Sequence, residues 1–139
     1  SLNHEYTHSI SASFQTKEFR LYNTTTDATQ TELFGDGSTQ RITLNDQDCY
    51  GFIIYITARR TDADNEGSFY KIEGCIDRNG TTTALIGSIS KTIIAEDDND
   101  WDVTAEADDT NEALVVKVTG EAAKTINWLA KVEIIKVNG

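Results

Sequence analysis

Apolar residues recur at every second position along this chain, in short runs parted by Gly, Asn and Asp. That alternation marks strands with one buried face. The clearest run is Thr125 to Val137, where Ile126, Trp128, Ala130, Val132 and Ile134 share a face opposite Thr125, Asn127, Lys131 and Glu133. Leu114, Val116 and Val118 alternate in the same way. Only Gly120 to Lys124 separates the two runs, so they read as a hairpin. Trp101, Val103, Ala105 and Ala107 form another half-exposed strand, turning through Asp109-Thr110-Asn111. Cys49 to Arg60 is apolar on both faces in its middle, as expected of a strand covered on both sides. Gly67 to Arg78 follows as its hairpin partner. Further short strands are predicted in Tyr6–Tyr22, Thr29–Phe34, Thr39–Leu44 and Ala84–Ala95.

Roughly nine or ten strands at ~8–12-residue spacing predict an all-β fold: an antiparallel β-sandwich, jelly-roll-like. Nineteen threonines support strands over helices. Glu121-Ala-Ala-Lys124 has helical propensity but makes one turn at most. A single domain is expected, with residues 1–28 as an N-terminal arm or first strands and 29–139 as the sandwich.

Charge narrows the function. Twelve basic residues against 23 acidic give a net charge of −11, and mean hydropathy is −0.42. Phosphate recognition needs clustered Lys and Arg, so nucleic acid and anionic membrane surfaces are not expected partners. No run approaches ~18 apolar residues, so no membrane insertion is expected either. The chain starts at Ser1 and contains no Met, which suggests a processed product or a piece of something larger. Cys49 and Cys75 lie in strand-like runs and read as two buried free thiols, with a bridge as the alternative.

Several residues carry candidate chemistry. Asp62, Asp64, Glu66, Gly67 and Glu73 fit the spacing of a calcium-binding EF-hand loop. That geometry requires flanking helices, whereas the neighbours here are strand-like, so a solvated hairpin loop is expected. Calcium held on a β-loop by the same carboxylates is the alternative, and no other cofactor is expected. Glu96-Asp-Asp-Asn-Asp100 is the densest acidic run and reads as a solvated turn. Trp101, beside it, is the better surface candidate for stacking on a ligand, with Asp98 and Asp100 as polar partners; Trp128 reads as core. His4 and His8 read as exposed terminal histidines. No nucleophile motif is present, so no catalytic residue is assigned and the chain is not expected to be an enzyme.

The stretch Trp101-Asp-Val-Thr-Ala-Glu-Ala-Asp, Asn111-Glu-Ala-Leu-Val-Val-Lys-Val-Thr-Gly120 and Thr125-Ile-Asn-Trp128-Leu-Ala-Lys-Val132 resembles the C-terminal β-domains of bacteriophage tail fibres, tailspikes and related virion appendages. Leu33-Phe-Gly-Asp-Gly-Ser-Thr-Gln-Arg-Ile-Thr-Leu44 and Ile54-Tyr-Ile-Thr-Ala-Arg-Arg60 are similar to its first half, so the resemblance covers roughly residues 30–139. It implies a non-enzymatic virion domain, made in host bacterial cytoplasm. Such a domain would assemble as a homotrimer with other virion proteins and attach to a surface glycan or protein receptor. A capsid decoration or head-fibre protein is one alternative. A carbohydrate-binding module, or an accessory domain of a polysaccharide depolymerase, is another. Segments 61–67, 96–100 and 108–112 are the loops expected to meet a ligand.

Overall fold

A computed structural model describes residues 5–139, and the expectation for His4 lies outside the described residues. The described residues form eleven strands and no helix. The alternating runs become β1 (Tyr6–Ser11), β2 (Phe14–Thr25), β3 (Thr31–Leu33), β4 (Ile42–Thr43), β5 (Asp48–Arg60) and β6 (Gly67–Asn79). They continue as β7 (Thr82–Leu85), β8 (Ser90–Glu96), β9 (Asp102–Asp108), β10 (Ala113–Thr119) and β11 (Ile126–Asn138). The run Ala84–Ala95 divides at Gly87, whose φ of +70° suits a residue without a Cβ.

Two antiparallel sheets pack face to face, as expected of an all-β sandwich. The larger has seven strands in the order β1-β2-β11-β5-β6-β7, with β8 also paired to β6. In the smaller, β9 pairs along β10, and β3 and β4 pair with successive lengths of β10. The chain crosses between sheets from β2 to β3, β4 to β5, β8 to β9 and β10 to β11.

That last crossing corrects the sequence expectation. β10 and β11 are not a hairpin: β11 inserts between β2 and β5 of the large sheet, while β10 is central in the small one. Lys124 N–H donates to the Glu121 carbonyl at 3.3 Å, closing a tight turn rather than a helical one, and Ala123 takes a φ of +62° there.

The core lies between the inner faces. Phe52, Ile54 and Ile56 of β5, with Trp128, Ala130 and Val132 of β11, meet Val103, Leu114, Val116 and Val118 of the small sheet. Gly74 sits directly opposite Phe52 across β5–β6. A Cβ there would lie 2.6 Å from the Phe52 ring, so glycine makes the slot that this ring fills.

Burial along β5 also departs from expectation. Tyr50, Phe52, Ile54, Ile56 and Ala58 are buried, but the alternate positions Cys49, Gly51, Ile53 and Tyr55 are only half-buried. Among the described residues, no layer covers the outer face of the large sheet. The expectation of a strand covered on both sides therefore fails at Ile53 and Tyr55, because pattern alone does not distinguish a second layer from an uncovered apolar face.

Candidate functional site

The ends of β5, β8 and β10 bring the two acidic segments of the sequence together at one end of the sandwich. One carboxylate oxygen from each of Glu66, Asp98 and Glu121 lies within 4.8 Å of the others. Such a trio repels itself unless a cation sits among it. Lys124 supplies that charge. Its Nζ lies 2.9 Å from Glu66, 2.9 Å from Asp98 and 2.7 Å from Glu121.

Arg60 extends the network, donating from Nε to Asp62 at 2.8 Å and from Nη1 to Glu66 at 2.8 Å. Backbone amides complete it: Gly67 N–H donates to Asp97, Asp100 N–H to Asp98, and Thr125 N–H to Asp62. The Asp100 amide, followed by Lys124, holds the Asp98 carboxyl well below the usual carboxylate range. Hydrogen bonds to Glu121, Glu66 and Asp98 push the Lys124 ammonium up from its ordinary value. The three carboxylates are the residues that could ligate a divalent cation, and the lysine ammonium already stands where it would bind.

The calcium-loop spacing is thereby divided. Asp62 and Glu66 belong to this network, and Asp64 is exposed on the hairpin loop. Glu73 lies six residues along β6 from Gly67, on the order of 20 Å away, and faces outward from the large sheet. Asp100 takes part through its amide.

Trp101 requires correction. It was expected at the surface, but it is 2% exposed, packed on Trp128 at 5.9 Å between ring centroids. Its Nε1–H donates to Glu121 at 3.2 Å, so it buttresses the polar network from beneath and cannot stack on a ligand. The parity it shares with Val103 and Ala105 was the sequence signal for burial. Segment 108–112 does not join segments 61–67 and 96–100. It lies at the far end of β9 and β10, where Asp109 and Glu112 accept hydrogen bonds from Thr83.

The outer face of the large sheet carries a second feature, which sequence reasoning missed. Gly51 has no side chain to fill the surface between Ile135 of β11 and Cys75 of β6, its cross-strand partners, and a Cβ there would meet open space. A groove of about 550 Å³ results, lined by Tyr6, His8, Glu18, Ile53, Glu73, Glu133 and Ile135 among others. It offers carboxylates beside apolar side chains, a surface suited to hydroxyl donors, cations or another protein face. Only strand register assembles it, and β2 and β11 lie at opposite ends of the sequence. Cys49 and Cys75 are free, half-buried rather than buried, with their sulfurs 3.8 Å apart. Burial, followed by the Cys75 thiol, pushes the Cys49 thiol up to about 11.

No protein-family model and no curated protein sequence matches this chain. Among solved structures, it is similar to the tailspike protein gp49 of Acinetobacter baumannii bacteriophage Fri1, described as a capsular polysaccharide depolymerase. The likeness has a TM-score of 0.53 at 16% identity and takes in 97% of this chain. It covers 20% of the tailspike, so the chain spans about one-fifth of that protein's length. At this identity the likeness establishes a shared fold.

Proposed function

We propose that this chain is a sandwich module of a phage tail-associated virion protein, serving self-assembly and attachment to the bacterial surface without catalysing a reaction. The observation that carries the reading is the fold shared over 97% of the chain with a segment of a tailspike. The resemblance of residues 30–139 to appendage domains points the same way. Segments 61–67 and 96–100 form one ligand-facing end, made rigid by Lys124 and Arg60. A homotrimer is the expected assembly, with a surface glycan or protein as receptor.

The experiment is adsorption of the purified chain to a panel of bacterial capsular polysaccharides, with reducing ends measured in parallel. Saturable binding without new reducing ends is expected. Release of reducing ends would overturn the non-enzymatic part. Because the similar tailspike is a depolymerase, binding would also fit a polysaccharide-holding domain of such an enzyme. Activity that requires this module beside a catalytic one would favour that second reading.

A further inference from the structure

The outer face of the seven-stranded sheet carries two charge bands that cross the strands. Arg20 of β2 lies directly opposite Lys131 of β11, and the band continues through Tyr55 of β5 to Lys71 of β6. Two residues along each strand, roughly 7 Å away, Glu18 lies opposite Glu133, and that band continues through Ile53 to Glu73. Like charges directly opposite on neighbouring strands destabilise a sheet. Pairs between the bands offset that repulsion within one chain: Lys131 with Glu133 at 3.3 Å and with Glu18 at 3.7 Å, Arg20 with Glu18 at 3.9 Å, and Lys71 with Glu73 at 4.0 Å. These side chains remain between 30% and 47% exposed.

Apolar positions flank the bands. Tyr22 and Leu129 lie beyond the basic band, and Ile135, Phe14 and Val137 beyond the acidic one; all five are exposed. Exposed apolar side chains thus stand on both sides of the charged rows.

We infer that this face is an interface between copies of this chain, in which the basic band of one copy lies against the acidic band of the next. Charge complementarity fixes the geometry. A symmetry axis along the bands, across the strands, sets Arg20, Lys71 and Lys131 against the neighbour's Glu18, Glu73 and Glu133. An axis along the strands would set each band against its like. Both a face-to-face pair and a three-membered ring satisfy the first arrangement, and in both the apolar flanks are covered. The inference deepens the self-assembly part of the proposed function and rests on that reading.

The test is solution mass by light scattering across a concentration series, with melting curves to confirm folding. The wild-type chain should exceed one chain in mass. Reversing the basic band (Arg20→Glu, Lys71→Glu, Lys131→Glu) should give a folded monomer, as should reversing the acidic band (Glu18→Lys, Glu73→Lys, Glu133→Lys). Exchanging all six should restore the assembly, because the swapped bands remain complementary. Should a triple variant fail to fold, Ile135→Lys tests the same face, since that side chain is 67% exposed and its replacement costs the monomer little. It too should give a monomer. An assembly indifferent to these changes, or a six-position exchange that folds but stays monomeric, overturns this inference and leaves self-assembly standing. A wild-type monomer at every concentration overturns both.

Discussion

Replacing Trp101 separates a buttress from a ligand platform. The ring is 2% exposed and packs on Trp128 with its plane tilted by 57°. Trp101→Ala removes a fully buried aromatic, at about 3–5 kcal/mol, and the lost ring–ring contact argues for the upper half. A chain of 139 residues has a total stability of roughly 7–20 kcal/mol, so a large share would be lost. Trp101→Phe keeps most of the packing and deletes the Nε1–H bond to Glu121. Because Glu121 keeps Lys124 at 2.7 Å, no carboxylate is orphaned, and the cost should be about 1–2 kcal/mol. Urea unfolding measures both. Iodide quenching in a Trp128→Phe background reports accessibility, and Trp101 emission should be blue-shifted and resist the quencher. A Trp101→Ala chain as stable as wild type, or free quenching by iodide, would refute the burial argument. So would loss of glycan binding in Trp101→Phe at unchanged stability, because a ring inside the sandwich touches no ligand.

Three further outcomes follow from local geometry. Gly74→Ala places a methyl against the Phe52 ring and should cost about 1–3 kcal/mol; combined with Phe52→Leu it should cost less than the sum, and additivity in a double-mutant cycle would refute the fit. The Asp36 carboxylate accepts the Gln40, Thr39 and Ser38 amides and the Thr39 hydroxyl, which hold it well below the usual range. With its folded pKa depressed, it stabilises above the unfolded value near ~3.9, and that contribution fades as pH falls through the folded value. Asp36→Ala should therefore lower the melting temperature at pH 7, with the gap to wild type closing below about pH 4; a pH-independent gap would contradict this. Alkylation of Cys49 should quicken about tenfold per pH unit between pH 8 and 10, because the thiolate is the nucleophile. In Cys75→Ser it should be faster at a given pH, since the Cys75 thiol helps raise the Cys49 pKa to about 11; equal rates would count against that coupling.

The strands were legible because burial of one face imposes period two, and β5, β6, β9, β10 and β11 lie where the alternation puts them. Pairing was less legible. β10 and β11 each carry a buried face and a short connection, and neither property says whether the chain turns back or crosses to the other sheet. The same limit hid the polar end. Lys124 reaches Glu66 across 58 positions of sequence, so locally it looked like part of a helical turn. Trp101 was misplaced for another reason: the neighbouring acidic run outweighed its own parity with Val103 and Ala105, although the alternation within a strand decides which way a side chain points.

Charge scarcity bears on the outer face as well. With a net charge of −11 and only 12 cations, long-range repulsion opposes bringing two copies together, though salt screens it beyond about 8 Å. A solvated, purely repulsive face would satisfy solubility with acids alone. Instead three of the scarce cations, Arg20, Lys71 and Lys131, fall in one row across four strands, one residue pair from a row of three acids. Each cation stands two residues from an acid on its own strand, and in two of the strands the like charges also fall directly opposite each other, Arg20 to Lys131 and Glu18 to Glu133. Within the monomer, each cation of the row pairs with an acid of the next: Arg20 with Glu18, Lys131 with Glu18 and Glu133, and Lys71 with Glu73. Between copies, each row meets its complement at contact distance, where screening is weakest and register matters most. The apolar flanks supply area and the bands supply register.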